Sequence, residues 1–242
     1  MLRREIIASK PLLRRIYCEW YELIRNSLPG TVDGRVLELG SGAGFFCQFV
    51  PDAIPSELFL CPDISVVADA QHLPFRDGSL RAIAMVDVLH HLPECRHFFA
   101  ESARCVAPGG AIVAVEPWVT TWSRVVYRHF HHEPFRPEAQ QWEFPPCGPL
   151  SGSNQALPWI LFERDRAAFE REYPEWKIAH VRPMMPFQYL VSGGVGLRSL
   201  APAWVGPLIE KVESAVSPAA HKLGMFAHIV LVRTAVSVHA HV

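Results

Sequence analysis

The stretch Val36-Leu37-Glu38-Leu39-Gly40-Ser41-Gly42-Ala43-Gly44-Phe45-Phe46 decides how this chain is read. Its first four residues are a short apolar run with one acid, the pattern of a buried parallel strand. Three glycines at alternate positions follow and give the backbone a sharp turn, with φ values that a side chain forbids. From Phe45 to Val50 the spacing predicts the start of a helix, so that a ligand at the turn faces helical N–H groups. A dinucleotide fingerprint needs Gly-x-Gly-x-x-Gly, and here Phe45 stands where its third glycine belongs. Glu38, two residues before the first glycine, would repel a phosphate. It suits a ligand with a cationic or hydroxyl-rich end.

Upstream, residues 1–28 read as helical, with Ile6, Leu13, Ile16, Tyr17, Trp20 and Ile24 at helical spacing and Pro11 in the first turn of a second helix. The opposite face carries Arg3, Arg4, Arg14, Arg15 and Arg25. Such a helix lies on a membrane surface or packs on the core or over a pocket. Downstream, strands are expected at Glu57–Cys61, Ser65–Ala68, Leu80–Asp87 and Ala111–Glu116, with a helix from Pro93 to about Val106 and a turn at Pro108-Gly109-Gly110. Asp63 lies nineteen residues past Gly44, at the distance of an acid that accepts hydrogen bonds from ribose hydroxyls. Alternating strands and helices of this length make an α/β chain with a parallel sheet and right-handed crossovers. From Pro117 to Trp159 the regularity fails, and so long a loop-rich insertion is usually functional. A helix at Glu163–Tyr173, a strand at Trp176–Val181, a second apolar insertion over residues 184–223 with a helix near 207–216, and a strand at Phe226–Arg233 complete the chain.

The 242 residues are 50% hydrophobic and 19% charged, enough for one domain with a large core. A net charge of −1 without long runs of one sign argues against a general nucleic-acid binder. The six cysteines include no Cys-x-x-Cys pair, which fits free thiols in a reducing compartment better than a disulfide framework or a zinc site. The N-terminus lacks the apolar segment of a signal peptide, and no window spans a membrane. A soluble, cytoplasmic protein is expected.

Four signatures in order resemble the class I S-adenosylmethionine-dependent methyltransferases of the small-molecule and lipid group. They are Glu38 to Gly44, Asp69-Ala70-Gln71-His72-Leu73-Pro74-Phe75, Asp87-Val88-Leu89-His90-His91-Leu92, and Val106-Ala107-Pro108-Gly109-Gly110. The resemblance is close over residues 34–116 and topological over 160–234. It implies a Rossmann-like, doubly wound, mostly parallel seven-stranded sheet over residues 31–235. An N-terminal helical cap over 1–30, insertions at about 117–160 and 184–223 forming a substrate lid, and a frayed tail over 236–242 complete that expectation. For S-adenosyl-L-methionine it implies Glu38, Gly40, Ser41, Gly42 and Gly44 around the methionine portion and Asp63 on the ribose. Asp69 and Ala70 would meet the adenine, with Asp87 and Val88 beneath the sulfonium.

Methyl transfer is an in-line displacement in which the protein contributes positioning and, where needed, a base. Base candidates are His91, beside His90 at the end of the fourth strand, and Glu116, at the end of the fifth. A cluster of His129, His131, His132 and Glu133 lies outside the shared pattern. Its histidines read as solvated loop residues, as a general base or substrate clamp (His131 and His132), or as metal ligands, although the i, i+4 pair of a zincin is absent. The apolar, Trp- and Met-rich insertions favour a small hydrophobic or lipid-like acceptor. Competing readings are a non-catalytic methyltransferase-fold partner subunit or cofactor sensor, and a nicotinamide oxidoreductase, which Phe45 and Glu38 count against.

Overall fold

The computed structural model describes residues 3–145 and 152–234. Cys147 and the tail 236–242 lie outside them. Seven strands form one sheet in the order β3-β2-β1-β4-β5-β7-β6. They are β1 (Arg35–Leu39), β2 (Ile54–Glu57), β3 (Val66–Val67), β4 (Leu80–Val86), β5 (Val106–Pro117), β6 (Trp176–Met184) and β7 (Phe226–Arg233). All pairs are parallel except those of β7, which runs antiparallel to β5 and β6.

Alternation along the central strands sorts their side chains to two faces. Leu37, Leu39, Ile83, Met85, Ile112 and Ala114 meet Phe98 and Phe99 of α3 (Cys95–Cys105) on one face. Val36, Ala82, Ala84, Val113 and Val115 meet Ile16, Trp20 and Ile24 of α2 (Pro11–Ser27) on the other. Helix α2 therefore buries its apolar stripe on the sheet, and of the two readings of the N-terminus the packed one holds. Helix α1 (Arg3–Ser9) precedes it, and Pro11 opens α2 as expected.

Four local expectations need correction. The helix expected after the glycine loop is only a 3-10 turn, Phe46–Gln48. Nine residues separate Gly44 from β2, and Pro51 forbids continuation of a helix through them. Phe45, Phe46 and Phe49 pack instead on Tyr21 of α2, with ring centroids 4.9–5.7 Å apart, so α2 fills the missing layer. Strand β2 lies earlier than the apolar run Leu58-Phe59-Leu60 suggests, because pairing of Leu37 to Ile54 and Leu39 to Ser56 sets the register. Leu60 is 87% exposed. Pro108-Gly109-Gly110 is a bulge inside β5: Leu80 pairs with Val106, whereas Ala82 pairs with Ala111. Finally, the irregular stretch after Pro117 holds α4 (Thr121–Phe130), started by Thr120, whose side chain accepts from the Ser123 amide.

A short helical turn α5 (Leu157–Trp159) leads through a π-turn (Ile160–Arg164) into α6 (Arg166–Glu172). The second insertion carries α7 (Gln188–Ser192) and α8 (Gly206–Val216). The five cysteines among the described residues are free thiols. No helix of the described residues is long and apolar enough to cross a membrane.

Candidate active site

The carboxyl ends of β1, β2 and β4 open onto a cavity of about 720 Å³. Gly40, Ser41, Gly42 and Gly44 line it, with Asp69, Ala70, Asp87, Val88 and His91 around them. The glycines are required by geometry at two points. Gly40 has φ +71° and a Cβ there would sit 2.5 Å from Val88; Gly44 has φ +75°. The loop is pinned from below, where the Ser41 hydroxyl donates to Glu38 at 2.7 Å and accepts from the Ser56 amide at 2.9 Å.

Glu38 does not line this cavity. It lies beneath the loop, 4% exposed, with Tyr21 Oη at 3.3 Å. Burial pushes its pKa up to about 7 against the hydrogen bonds of Ser41 and Tyr21. Asp63 is outside the lining too, on the surface in an ion pair with Arg4. Glu57, the last residue of β2, lines the cavity instead. Its signal was the strand end itself, which the apolar run after it displaced in the sequence reading.

Two further lining residues come from α1. Arg3 donates to Asp87 at 2.6 Å, and the Arg3 and Arg4 stems lie against Gly42 and Gly44. Periodicity placed both arginines on an outward basic face, and nothing in the local sequence marked them as cavity residues.

A second cavity, of about 470 Å³, adjoins the first and shares Arg3, Asp87 and His91 with it. Its walls are α4 (Val126, Tyr127, Phe130), the segment His131-His132-Glu133, and Tyr189 and Leu197 of the second insertion. The two insertions thus meet over one hollow.

Between the cavities lies a charged cluster. Glu116, fully buried, accepts from the Val88 and Leu89 amides, both at 2.8 Å, and lies 2.9 Å from His90 Nδ1. It lines neither cavity, so it braces the loop after β4 and is not placed to act as the base. His90 is also fully buried. Glu133 Oε2 lies 3.4 Å from its Nε2 without hydrogen-bond geometry, and Asp87 Oδ1 lies at 3.9 Å. Burial drives the His90 pKa down, but Glu116, Glu133 and Asp87 outweigh it and raise the value to about 10. Burial pushes Glu133 up, yet His90, His91 and a bond from Gln155 hold it well below the usual carboxylate range.

His91 lines both cavities with Nε2 3.9 Å from Glu133 Oε1; burial, then the neighbouring His90 charge, lower its pKa. His131 and His132 stack at 4.9 Å on the second cavity's wall. His131 Nδ1 accepts from the Glu133 amide at 3.2 Å, and burial lowers its pKa. The side chain of His132 is 77% exposed, with Nε2 3.8 Å from Glu133 Oε1. His129 is exposed and lines neither cavity.

Comparison with known proteins fits this arrangement. Residues 37–114 match the family described as a methyltransferase domain. A malonyl-[acyl-carrier protein] O-methyltransferase of Geobacter sulfurreducens is 28% identical over 100 residues, covering 34% of this chain and 38% of the relative. A 2-methyl-6-phytyl-1,4-hydroquinone methyltransferase of Synechocystis is 33% identical over 100 residues, 40% of this chain and 31% of the relative. The matches thus span only 38% and 31% of these relatives' own lengths. Among solved structures, a geranyl diphosphate C-methyltransferase of Streptomyces coelicolor A3(2) superposes with a TM-score of 0.55 at 13% identity, over 96% of this chain and 85% of that one. The shared fold is that of the class I S-adenosylmethionine-dependent methyltransferases.

Proposed function

We propose that this chain binds S-adenosyl-L-methionine in the larger cavity and transfers its methyl group to a small, partly apolar acceptor in the smaller one. The observation that carries this reading is the common wall. Arg3, Asp87 and His91 line both hollows, so a sulfonium above the Asp87–Val88 turn is next to whatever fills the second cavity. An in-line displacement needs little else than this adjacency, held by a pre-formed site.

The charges suit the cofactor's ends. The guanidinium of Arg3 is placed for the methionine carboxylate and Asp87 for its ammonium. Glu57 is available to the ribose hydroxyls, and Asp69 with Ala70 to the adenine. Glu38 acts through Ser41 as a support of the loop.

The acceptor cavity is two-sided. Tyr127, Tyr189, Leu190 and Phe226 form an apolar side, while His91, His131, His132, Glu133 and Gln155 form a polar one. An amphiphilic acceptor fits, with its reacting end against the histidines. Phe130 and Leu197, 67% and 58% exposed, stand at the mouth of this cavity, which favours an apolar or lipid-like molecule arriving there. Helix α4 and the loop after α7 form the lid in this reading.

Calorimetry tests the first half. S-adenosylmethionine and S-adenosylhomocysteine should bind one per chain, nicotinamide dinucleotides should not, and Gly42→Val should abolish binding while the fold survives. Transfer of a labelled methyl group from the cofactor to an extractable small molecule, followed by mass spectrometry, tests the second. Normal binding by folded Gly42→Val would refute the cavity assignment. Cofactor binding without transfer to any acceptor would leave a cofactor sensor or partner subunit.

A further inference from the structure

We propose that His90, His91 and Glu133 form a site for a divalent metal ion of the Zn²⁺ type on the polar side of the acceptor cavity, and that the ion activates an acceptor hydroxyl. The metal site stands on the geometry alone; its role in the reaction rests on the methyl-transfer reading above.

The candidate ligand atoms of the three side chains all lie within 4.8 Å of one another. His90 Nε2 is 3.4 Å from Glu133 Oε2, and His91 Nε2 is 3.9 Å from Glu133 Oε1. A tetrahedral ion about 2.0–2.2 Å from nitrogen and oxygen ligands holds them roughly 3.3–3.5 Å apart. The His90–Glu133 separation matches that spacing, and the His91–Glu133 one exceeds it by about half an ångström.

His90 carries the argument further. Its Nε2 is buried, has no hydrogen-bond partner among the described residues and is aimed at Glu133. Its Nδ1 is held by Glu116 at 2.9 Å. A metal-bound histidine is oriented in this way, with its second nitrogen donating to a carboxylate behind it. His91 repeats the pattern more loosely, with Nδ1 3.5 Å from the Gly152 carbonyl. Glu116 and Glu133 both approach the His90 ring, and Glu133 also lies 3.9 Å from His91 and 3.8 Å from His132. Two imidazoles and one carboxylate suit Zn²⁺ and its neighbours better than Ca²⁺ or Mg²⁺, which prefer oxygen ligands throughout.

His91 and Glu133 line the acceptor cavity, so the remaining coordination positions open onto it. That placement matters most for a hydroxyl acceptor. Amines need no ion to become nucleophilic, and thiols ionise near pH 8.5, but water ionises near 15.7 and reaches about 7 on zinc. The acceptor oxygen gives its proton to the exposed imidazole of His132 and so to solvent. It then forms the O–CH3 bond as the methyl–sulfur bond breaks, and the cofactor sulfur keeps the electron pair.

The test uses the full chain, stripped with a chelator and titrated with Zn²⁺ alone by calorimetry and elemental analysis. One ion per chain is expected, with affinity reduced at least tenfold by His91→Ala and by the isosteric Glu133→Gln. Co²⁺ in its place should give the visible absorption of a low-symmetry nitrogen-and-oxygen site, lost in the same variants. His72 and His97, exposed with ring centroids 6.4 Å apart, are a competing surface site, and the double variant His72→Ala/His97→Ala should bind the ion normally. Absence of stoichiometric binding, binding unchanged in both cluster variants, or binding lost in the surface variant overturns the proposal. S-adenosylmethionine titrated into the same stripped protein separates the two readings. A chain that binds the cofactor but takes up no Zn²⁺ loses only the metal site, and one that takes up Zn²⁺ but binds no cofactor loses the methyl-transfer reading.

Discussion

Truncating Glu116 to alanine tests whether this carboxylate braces the site without acting as its base. One oxygen accepts from the Val88 and Leu89 amides at 2.8 Å each, the other lies 2.9 Å from His90 Nδ1, and none of the side chain reaches solvent. Glu116→Ala leaves the part-buried Val88 amide and the buried Leu89 amide with no acceptor and His90 with no anchor. Each orphaned donor costs about 1–3 kcal/mol, so the three together put the loss at about 3–9 kcal/mol. Set against a whole-domain stability of about 5–15 kcal/mol, the loss is large enough to read without ambiguity. Glu116→Gln keeps the shape, and its carbonyl oxygen can still take both amides while the charge is lost. It should cost about 1–2 kcal/mol. Urea unfolding followed by circular dichroism and tryptophan fluorescence gives both values. A loss below 1 kcal/mol for the alanine variant, or equal losses for both, would refute the brace.

Three further outcomes are expected. Glu57→Gln should weaken S-adenosylmethionine by about tenfold in calorimetry while Asp63→Asn stays within twofold, since only Glu57 lines the cavity; the reverse order would restore Asp63 to the ribose. Asp69→Ala should lose one charge-assisted bond to the adenine, about 1.5–3 kcal/mol or ten- to a hundredfold in affinity, whereas a change below twofold would leave Asp69 only its turn contact with the Gln71 amide. His228, buried beside His180 with Nδ1 3.1 Å from His180 Nε2, has its pKa lowered from 6.5 to about 4 by burial, then by His180 and Arg182. Its folded pKa lies below the unfolded one, so its contribution is complete above pH 6.5 and disappears as the pH falls towards 4. It amounts to about 3 kcal/mol, and His228→Gln should flatten the acid limb of the stability curve across that window.

The glycine loop, the strands β1, β4 and β7, and the crossover helix α3 were legible because each is marked locally, by glycine spacing, a continuous apolar run or a proline start. Asp69, Ala70, Asp87 and Val88, which line the larger cavity, came from the family resemblance and not from any local pattern. Arg3 was not legible, because its role depends on α1 folding back across the sheet edge, a contact 84 residues long in sequence. Glu57 lines the cavity and Asp63 does not; hydrophobicity alone drew the strand through Leu58-Phe59-Leu60, while the register of β1 fixed it earlier. His90 illustrates a further limit. Sequence pairs it with His91, but its importance lies in the burial and the three carboxylates that only the assembled sheet brings to it.

Lys10 separates α1 from α2 in extended backbone, with φ −113°. Its ammonium donates to the carbonyl of Gly194 at 2.7 Å and to that of Leu197, both lining the second cavity. Seven residues earlier, Arg3 lies across the glycine loop. One short helix thus has a foot in each hollow. A cofactor that lifts Arg3 off the loop pulls on the residue that holds the second cavity's lining. The consequence is a sequence of events: steady-state kinetics should show compulsory order with the cofactor first, and Lys10→Met should convert it to random order. Random addition in the unaltered chain would mean that the two feet move independently.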